Sequence, residues 1–184
     1  SYRNMVMIDR KEEVGCDIVL ENHRENAYNL VSWLLKNKPC CQVLMLFGWI
    51  DSFNTRMCME GSDQAFAEAG KPEEEILRVI TSRRIDIVVD ALAQFSKRIQ
   101  KGQRPLIVAF GSDILEYVAM EIHRSYPEWI GNVDVAGFAQ AGTAEKLGMQ
   151  CSLVIKNPEA AGITAAELLH KKIEKRRSAK TIRY

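Results

Sequence analysis

The sequence predicts an α/β protein built on a mostly parallel, doubly wound sheet. Three observations carry this expectation. Short apolar runs of strand length alternate with segments whose apolar residues recur at helical spacing. The stretches between successive runs are long enough to hold a helix, as a parallel crossover requires. Runs such as Val43–Phe47 (VLMLF) and Leu106–Phe110 (LIVAF) are apolar without interruption, the pattern of a strand covered on both faces.

Taken in order, Met5–Ile8 reads as a strand, followed after a turn by another at Asp17–Leu20. Ala27, Leu30, Val31, Leu34 and Leu35 fall at i, i+3, i+4, i+7 and i+8, one face of a helix that Pro39 closes. Val43–Phe47 is the next strand. Arg56–Glu68 is a helix stopped by Gly70, and Ile76–Ile80 a strand. Ile85, Val88, Val89, Leu92, Phe95 and Ile99 form another helical stripe, and the polar residues 101–105 a loop. Leu106–Phe110 leads to Ser112, a good N-cap for a helix carrying Ile114, Leu115, Val118, Ala119 and Ile122. Val133–Phe138 is strand-like, Thr143–Leu147 a short helix ending at Gly148, and Ser152–Ile155 a strand. Pro158 suits the first turn of a long helix through Ala161, Ala165, Leu168, Leu169 and Ile173. Lys180–Tyr184 reads either as a last strand or as a frayed tail.

Composition narrows the function. With 184 residues the chain holds one ordinary domain, or one lobe and part of another. It is 47% hydrophobic and 27% charged, a globular balance. Lys and Arg number 25 against 24 Asp and Glu, so no general cationic nucleic-acid surface is expected. No apolar run has the length of a membrane span, and the first residues hold no signal-peptide core. The chain begins without Met and enters a strand almost at once, as an excised piece of a longer protein would. Five cysteines, irregularly spaced and without a C-x-x-C, read as small apolar residues of a reducing, cytoplasmic protein and not as a metal site. Charge is uneven only at the end, where His170–Tyr184 carries seven Lys or Arg and one Glu. A solvated helix terminus explains it, and a phosphate-contacting tail is the alternative.

In an open parallel sheet, ligands bind beyond the carboxyl ends of the strands. That rule selects Gly48, Trp49, Asp51, Phe53 and Arg56 after one strand, and Gly111, Ser112 and Asp113 after another. It also selects Gly137, Phe138, Ala139 and Gln140, and finally Lys156 and Asn157. These residues offer aromatic faces, one arginine fork and small polar groups, a set suited to a polar, hydroxylated small molecule. Each has a purely structural explanation as well: a surface ion pair for Arg56, capping for Ser112, packing for Trp49 and Phe53, the helix dipole for Asp113. His23, His123 and His170 read as surface residues. No nucleophile elbow, dinucleotide glycine motif or phosphate-binding P-loop is present. No catalytic residue, cofactor or metal is expected.

Several strings, taken in order, resemble the effector-binding core of the lac-repressor family of bacterial transcriptional regulators, which shares its fold with periplasmic sugar-binding proteins. They are Met5–Arg10 (MVMIDR), Val19–Asn22 (VLEN) with Ala27, Arg56–Ala69, Ala109–Ala119 (AFGSDILEYVA), Pro127–Phe138 (PEWIGNVDVAGF) and Ser152–Leu169. The resemblance implies two α/β lobes with a ligand cleft between them. Residues 1–13 would end a first lobe and 14–155 form a second. Residues 156–184 would be the crossover, last helix and tail returning to the first lobe. Most of the first lobe and a helix-turn-helix DNA-binding head would lie outside the chain. It also implies a homodimer that reaches operator DNA only through that head, controlled by a sugar-like effector.

Effector contacts carry over unevenly. Arg56 falls at the family's effector-gripping arginine. Ser112 stands in place of the usual ligand-binding asparagine, while the following Asp113 matches. Ala139 replaces an aspartate that binds sugar hydroxyls, a loss of about 1–3 kcal/mol for such a ligand, and Gln140 is placed to compensate in part. Asn157 falls near a polar crossover residue that reaches the cleft. Trp49, Phe53 and Phe138 complete the expected ligand set. The mechanism implied is sensing without bond chemistry. A transporter's solute receptor, a signalling sensor domain and a flavodoxin-like enzyme using Ser112 and Asp113 stand as rivals.

Overall fold

In a computed structural model, residues 5–9, 16–38 and 40–181 are described, with side chains up to residue 174. The chain divides into two units, residues 23–156 and residues 1–22 with 157–184.

The unit of residues 23–156 carries a five-stranded, all-parallel sheet. Its strands are β3 (Val43–Phe47), β4 (Ile76–Ile80), β5 (Leu106–Phe110), β6 (Asp134–Ala139) and β7 (Cys151–Ile155), in the order β4-β3-β5-β6-β7. The other unit pairs two short parallel strands, β1 (Val6–Ile8) and β2 (Asp17–Val19). It also holds α6 (Pro158–Thr181), whose Lys172 pairs with Asp17 at 2.9 Å.

Both faces of the large sheet are covered, and the alternation of side chains decides what covers each. Val43, Met45 and Phe47 of β3 point one way, into a core with α1 (His23–Asn37) and α2 (Phe53–Glu68). Leu44 and Leu46 point the other way, to α3 (Ile85–Ser96), α4 (Ser112–Ser125) and α5 (Thr143–Leu147). All five residues of β3 and of β5 are buried, as their unbroken apolar runs require. The two helices of the first face approach closely at Gly61, where a Cβ would stand 2.1 Å from the Arg24 carbonyl oxygen.

Most elements fall where the sequence places them, with differences at the ends. α2 begins at Phe53, three residues before Arg56, and Gly70 stops it in a left-handed conformation (φ +63°). α3 ends at Ser96, short of Ile99. Ser112 is not the cap of α4: Gly111 holds that position and Ser112 is the first helical residue. His23 is not a surface residue. It is 2% exposed and stacks on Phe138, its ring centroid 6.4 Å away. Pro39, the Asp-Arg string beyond Asp9 and the last three residues lie outside the described residues.

The order of connections matters most for function. From β3 the chain steps outward to β4, then crosses back over β3 to β5 and continues to β6 and β7. The winding therefore reverses between β3 and β5. Helices leave from opposite sides there, the arrangement that in open parallel sheets places ligand sites beyond the carboxyl ends of the strands.

Candidate functional site

The site assembles at that reversal. β3 is followed by buried Gly48 and then Trp49, a residue 52% exposed. The following turn is closed by the Ser52 amide donating to the Trp49 carbonyl at 3.1 Å. α2 then starts, and Arg56 in its first turn is exposed, with Nη1 donating to the Asp51 carbonyl at 3.1 Å. Phe53, at the head of the same helix, is half-buried.

From β5, Gly111 leads into α4. A Cβ on Gly111 would lie 2.8 Å from Asp113 Oδ1, so the missing side chain lets this carboxylate fold back over the turn. Ser112 Oγ accepts a hydrogen bond from the Gln140 backbone amide at 2.9 Å. That bond ties the end of β6 to the start of α4 and leaves the Gln140 side chain exposed. The Ser112 oxygen accepts this bond as a structural tie between the two turns.

One residue here escapes sequence reasoning. After β4 the chain turns through Ser82 (φ +48°) and Arg83 (φ +57°), two consecutive non-glycine residues in the left-handed region. Thr81 holds the turn: its Oγ1 donates to the Phe47 carbonyl at 2.7 Å and accepts from the Arg83 amide at 3.1 Å. Arg83 is thereby aimed back across the end of β3. Its guanidinium lies over the Trp49 ring, 5.0 Å from the centroid, and its Nη1 donates to Asp113 Oδ2 at 3.2 Å. No motif marks this arginine, because its partners lie more than thirty residues before and thirty after it.

The structure thus places Trp49, Phe53, Arg56, Ser112, Asp113 and Gln140 after the carboxyl ends of β3, β5 and β6, with Arg83 joining Trp49 to Asp113 and Ser112 joining Gln140. One expected residue turns into the core, and another belongs to the other unit. Phe138 is 3% exposed and packs edge-on against Phe110 at 5.0 Å, because its register on β6 turns it into the α1/α2 core. Asn157 belongs to the other unit, where its Oδ1 accepts from the Ala160 amide at 3.0 Å and caps α6. Ala139 is 1% exposed, and its carbonyl accepts from the Lys156 amide at 2.9 Å.

A concavity of about 390 Å³ lies at the opposite, amino-terminal edge of the sheet and is lined by Lys38, Arg104, Asp134, Gln150 and Cys151 among others. Its charges are already matched. Asp134 accepts from Arg104 Nε at 2.6 Å and Nη2 at 3.1 Å, and pairs with Lys38 at 3.3 Å. Burial pushes the Asp134 carboxyl up, but the hydrogen bonds from Arg104 and Lys38 outweigh it and hold the group below its ordinary range. This cluster closes the bottom of the sheet.

No protein-family model matches the sequence, and no curated protein matches it. Solved structures do. A LacI-family transcriptional regulator from Enterococcus faecium with bound ribose superposes with a TM-score of 0.75 at 16% identity, covering 92% of this chain and 62% of that one. The Cra transcriptional dual regulator from Pseudomonas putida, in complex with fructose 1-phosphate, gives a TM-score of 0.74 at 15% identity, covering 93% and 62%. An ABC transporter periplasmic solute-binding protein from Actinobacillus succinogenes 130z with bound D-allose gives 0.73 at 16%, covering 92% and 63%. The chain therefore spans less than two thirds of the length of these proteins. Its mostly parallel, doubly wound α/β architecture is the fold of LacI-family regulators and periplasmic-type solute-binding proteins.

Proposed function

We propose that this chain is the effector-sensing part of a bacterial transcriptional regulator of the lac-repressor type. The surface beyond the carboxyl ends of β3 and β5 forms one wall of the site for a small polar metabolite. The observation that carries this reading is the placement of Trp49, Arg56, Ser112 and Asp113 after the two strands at the topological switch point of a parallel sheet, with Gln140 of the adjoining strand end tied to Ser112. These are groups that recognise and do not react, so the reading is of a sensor and not of an enzyme. Arg56 supplies a rigid fork of donors and Trp49 an exposed ring for stacking. Ser112, by holding the Gln140 amide, fixes the spacing of the two central turns.

On this reading the ligand acts by its differential affinity for two states of the protein, the only way binding can shift such a balance. The full protein works as a cytoplasmic homodimer and contacts operator DNA through a head outside this chain. The bound sugars of the superposable structures support a sugar-like ligand class.

The test is a thermal-shift screen of the full protein against pentoses, hexoses, disaccharides, sugar phosphates, purines and amino acids. A ligand at one hundred times its Kd adds about 2.7 kcal/mol of stability. The reading expects at least one hit that is lost in Arg56→Ala. No hit across the panel overturns it. A solute-binding protein of a transporter is the second reading, favoured by the D-allose complex, and a hit without any effect on DNA binding would select it.

A further inference from the structure

We propose that Arg83 is a ligand-contacting residue and that it makes this wall selective for an oxyanion-bearing metabolite, a phosphate ester or carboxylate of a hydroxylated compound, over its neutral parent. The proposal rests on the sensor reading above and goes beyond it by naming the chemical class.

Four observations support it. First, the backbone is bent to present this side chain. Two successive residues without glycine's freedom hold left-handed conformations, each of which costs free energy and persists only where surrounding bonds over-determine it. Here Thr81 supplies those bonds through its hydroxyl, and the Ser82 amide adds one to the Gly48 carbonyl at 3.3 Å. A residue that merely paired on the surface would not need such a turn.

Second, Arg83 borders the backbone that leads from β3 into α2. A Cβ on Gly48 would meet Arg83 Nε at 3.8 Å and Thr55 Oγ1, in the first turn of α2, at 3.5 Å. Arg56 is the next residue of that turn.

Third, the guanidinium is pre-oriented but not used up. The Trp49 ring backs it on one side, and only Nη1 reaches Asp113, at 3.2 Å, while 46% of the side chain is exposed. An exposed single-point pair of this kind is weak and exchanges readily for a better acceptor. A phosphate or carboxylate offers the paired oxygens that match the fork.

Fourth, the wall carries two exposed guanidinium groups, Arg56 and Arg83, beside two carboxylates, Asp51 and Asp113, of which Asp113 is held by Arg83, while the Gln140 amide both donates and accepts. Neutral sugar hydroxyls need acceptors as well as donors. An oxyanion needs donors alone.

The experiment is calorimetric titration of the full protein with matched triplets: a sugar, its phosphate ester and its sugar acid, together with inorganic phosphate. Wild type is compared with Arg83→Gln, Arg83→Lys and Asp113→Asn, each checked for an unchanged melting profile. In wild type the anionic member binds about tenfold to a hundredfold tighter than its neutral parent, the value of a charge-assisted hydrogen bond, and its affinity falls with salt. Arg83→Gln removes that preference, Arg83→Lys keeps part of it, and Asp113→Asn raises it. The phosphate and sugar-acid arms identify which oxyanion is recognised. Equal or better binding of the neutral sugar, or a preference unchanged in Arg83→Gln, overturns this proposal and leaves the sensor reading standing. Failure of every compound to bind overturns this proposal, and the wider thermal-shift panel then decides the sensor reading.

Discussion

At the scale of single residues, the clearest lesson is Ser112. Its type and position suit a helix cap, yet the helix begins with it and its hydroxyl serves Gln140, twenty-eight residues away in sequence. Ser112→Ala is expected to lower stability by about 1 kcal/mol, the net worth of one hydrogen bond, and to weaken any ligand bound at the two turns it joins. Urea unfolding of the variant beside wild type measures the first effect, and a change under a few tenths of that size would show the bond to be incidental. Arg83 teaches the complementary point. A residue's chemistry is visible in the sequence, but its aim is set by the turn that carries it and by partners on other strands. Phe138 shows the same from the opposite side: one step of the β pleat separates a ligand-facing position from a core position.

At the scale of elements, glycine decides where backbones can touch. A Cβ on Gly137 would lie 1.9 Å from the Ala109 carbonyl oxygen, so β6 can hydrogen-bond against β5 only with glycine there. Gly137→Ala is expected to cost about 1–3 kcal/mol or more through overpacking. Because β5 and β6 carry Ser112 and Gln140 at their ends, the same change is expected to weaken ligand binding without touching a binding residue. Thermal melts and the ligand titration, run on the same preparation, test the two effects together. A variant with wild-type stability would mean that the strands part easily. The strands themselves were legible because a parallel strand covered on both faces must be apolar throughout, a pattern no surface element shares. Element ends were less legible. The start of α2 depends on a turn closed by backbone bonds, which leaves no mark in residue type.

At the scale of the whole molecule, ion pairs impose a pH dependence whose sign follows from their direction. The carboxyls of Glu68, Glu73 and Asp86 are held below their ordinary range by hydrogen bonds from Tyr28, Arg78 and Arg84 respectively. Asp134 is held low by Arg104 and Lys38 against its burial. The folded state thus binds fewer protons than the unfolded chain in acid. The stability these groups contribute is fully present above the unfolded carboxyl pKa of about 4 and is lost as pH falls through their lower folded values. Urea midpoints at pH 7, 5, 4 and 3 are expected to hold and then drop. Asp134→Asn is expected to be less stable at neutral pH by about 1–3 kcal/mol and to show a shallower acid decline. An identical decline in both proteins would exclude Asp134 as a contributor. The five cysteines are free, and burial pushes the Cys151 thiol up to about 11.

What the sequence determined by itself is the class of the fold, its strands and helices, and the set of strand-end loops from which a ligand wall could be drawn. Those features follow from local periodicity and burial, which residue types record directly. The tertiary structure alone decided which of those loops meet and where each side chain points. The reversal of winding between β3 and β5, the aim of Arg83 across Trp49 and Asp113, and the withdrawal of Phe138 into the core all depend on contacts between residues far apart in the chain. Such contacts are fixed by how whole faces pack against each other, and no short stretch of sequence carries that information.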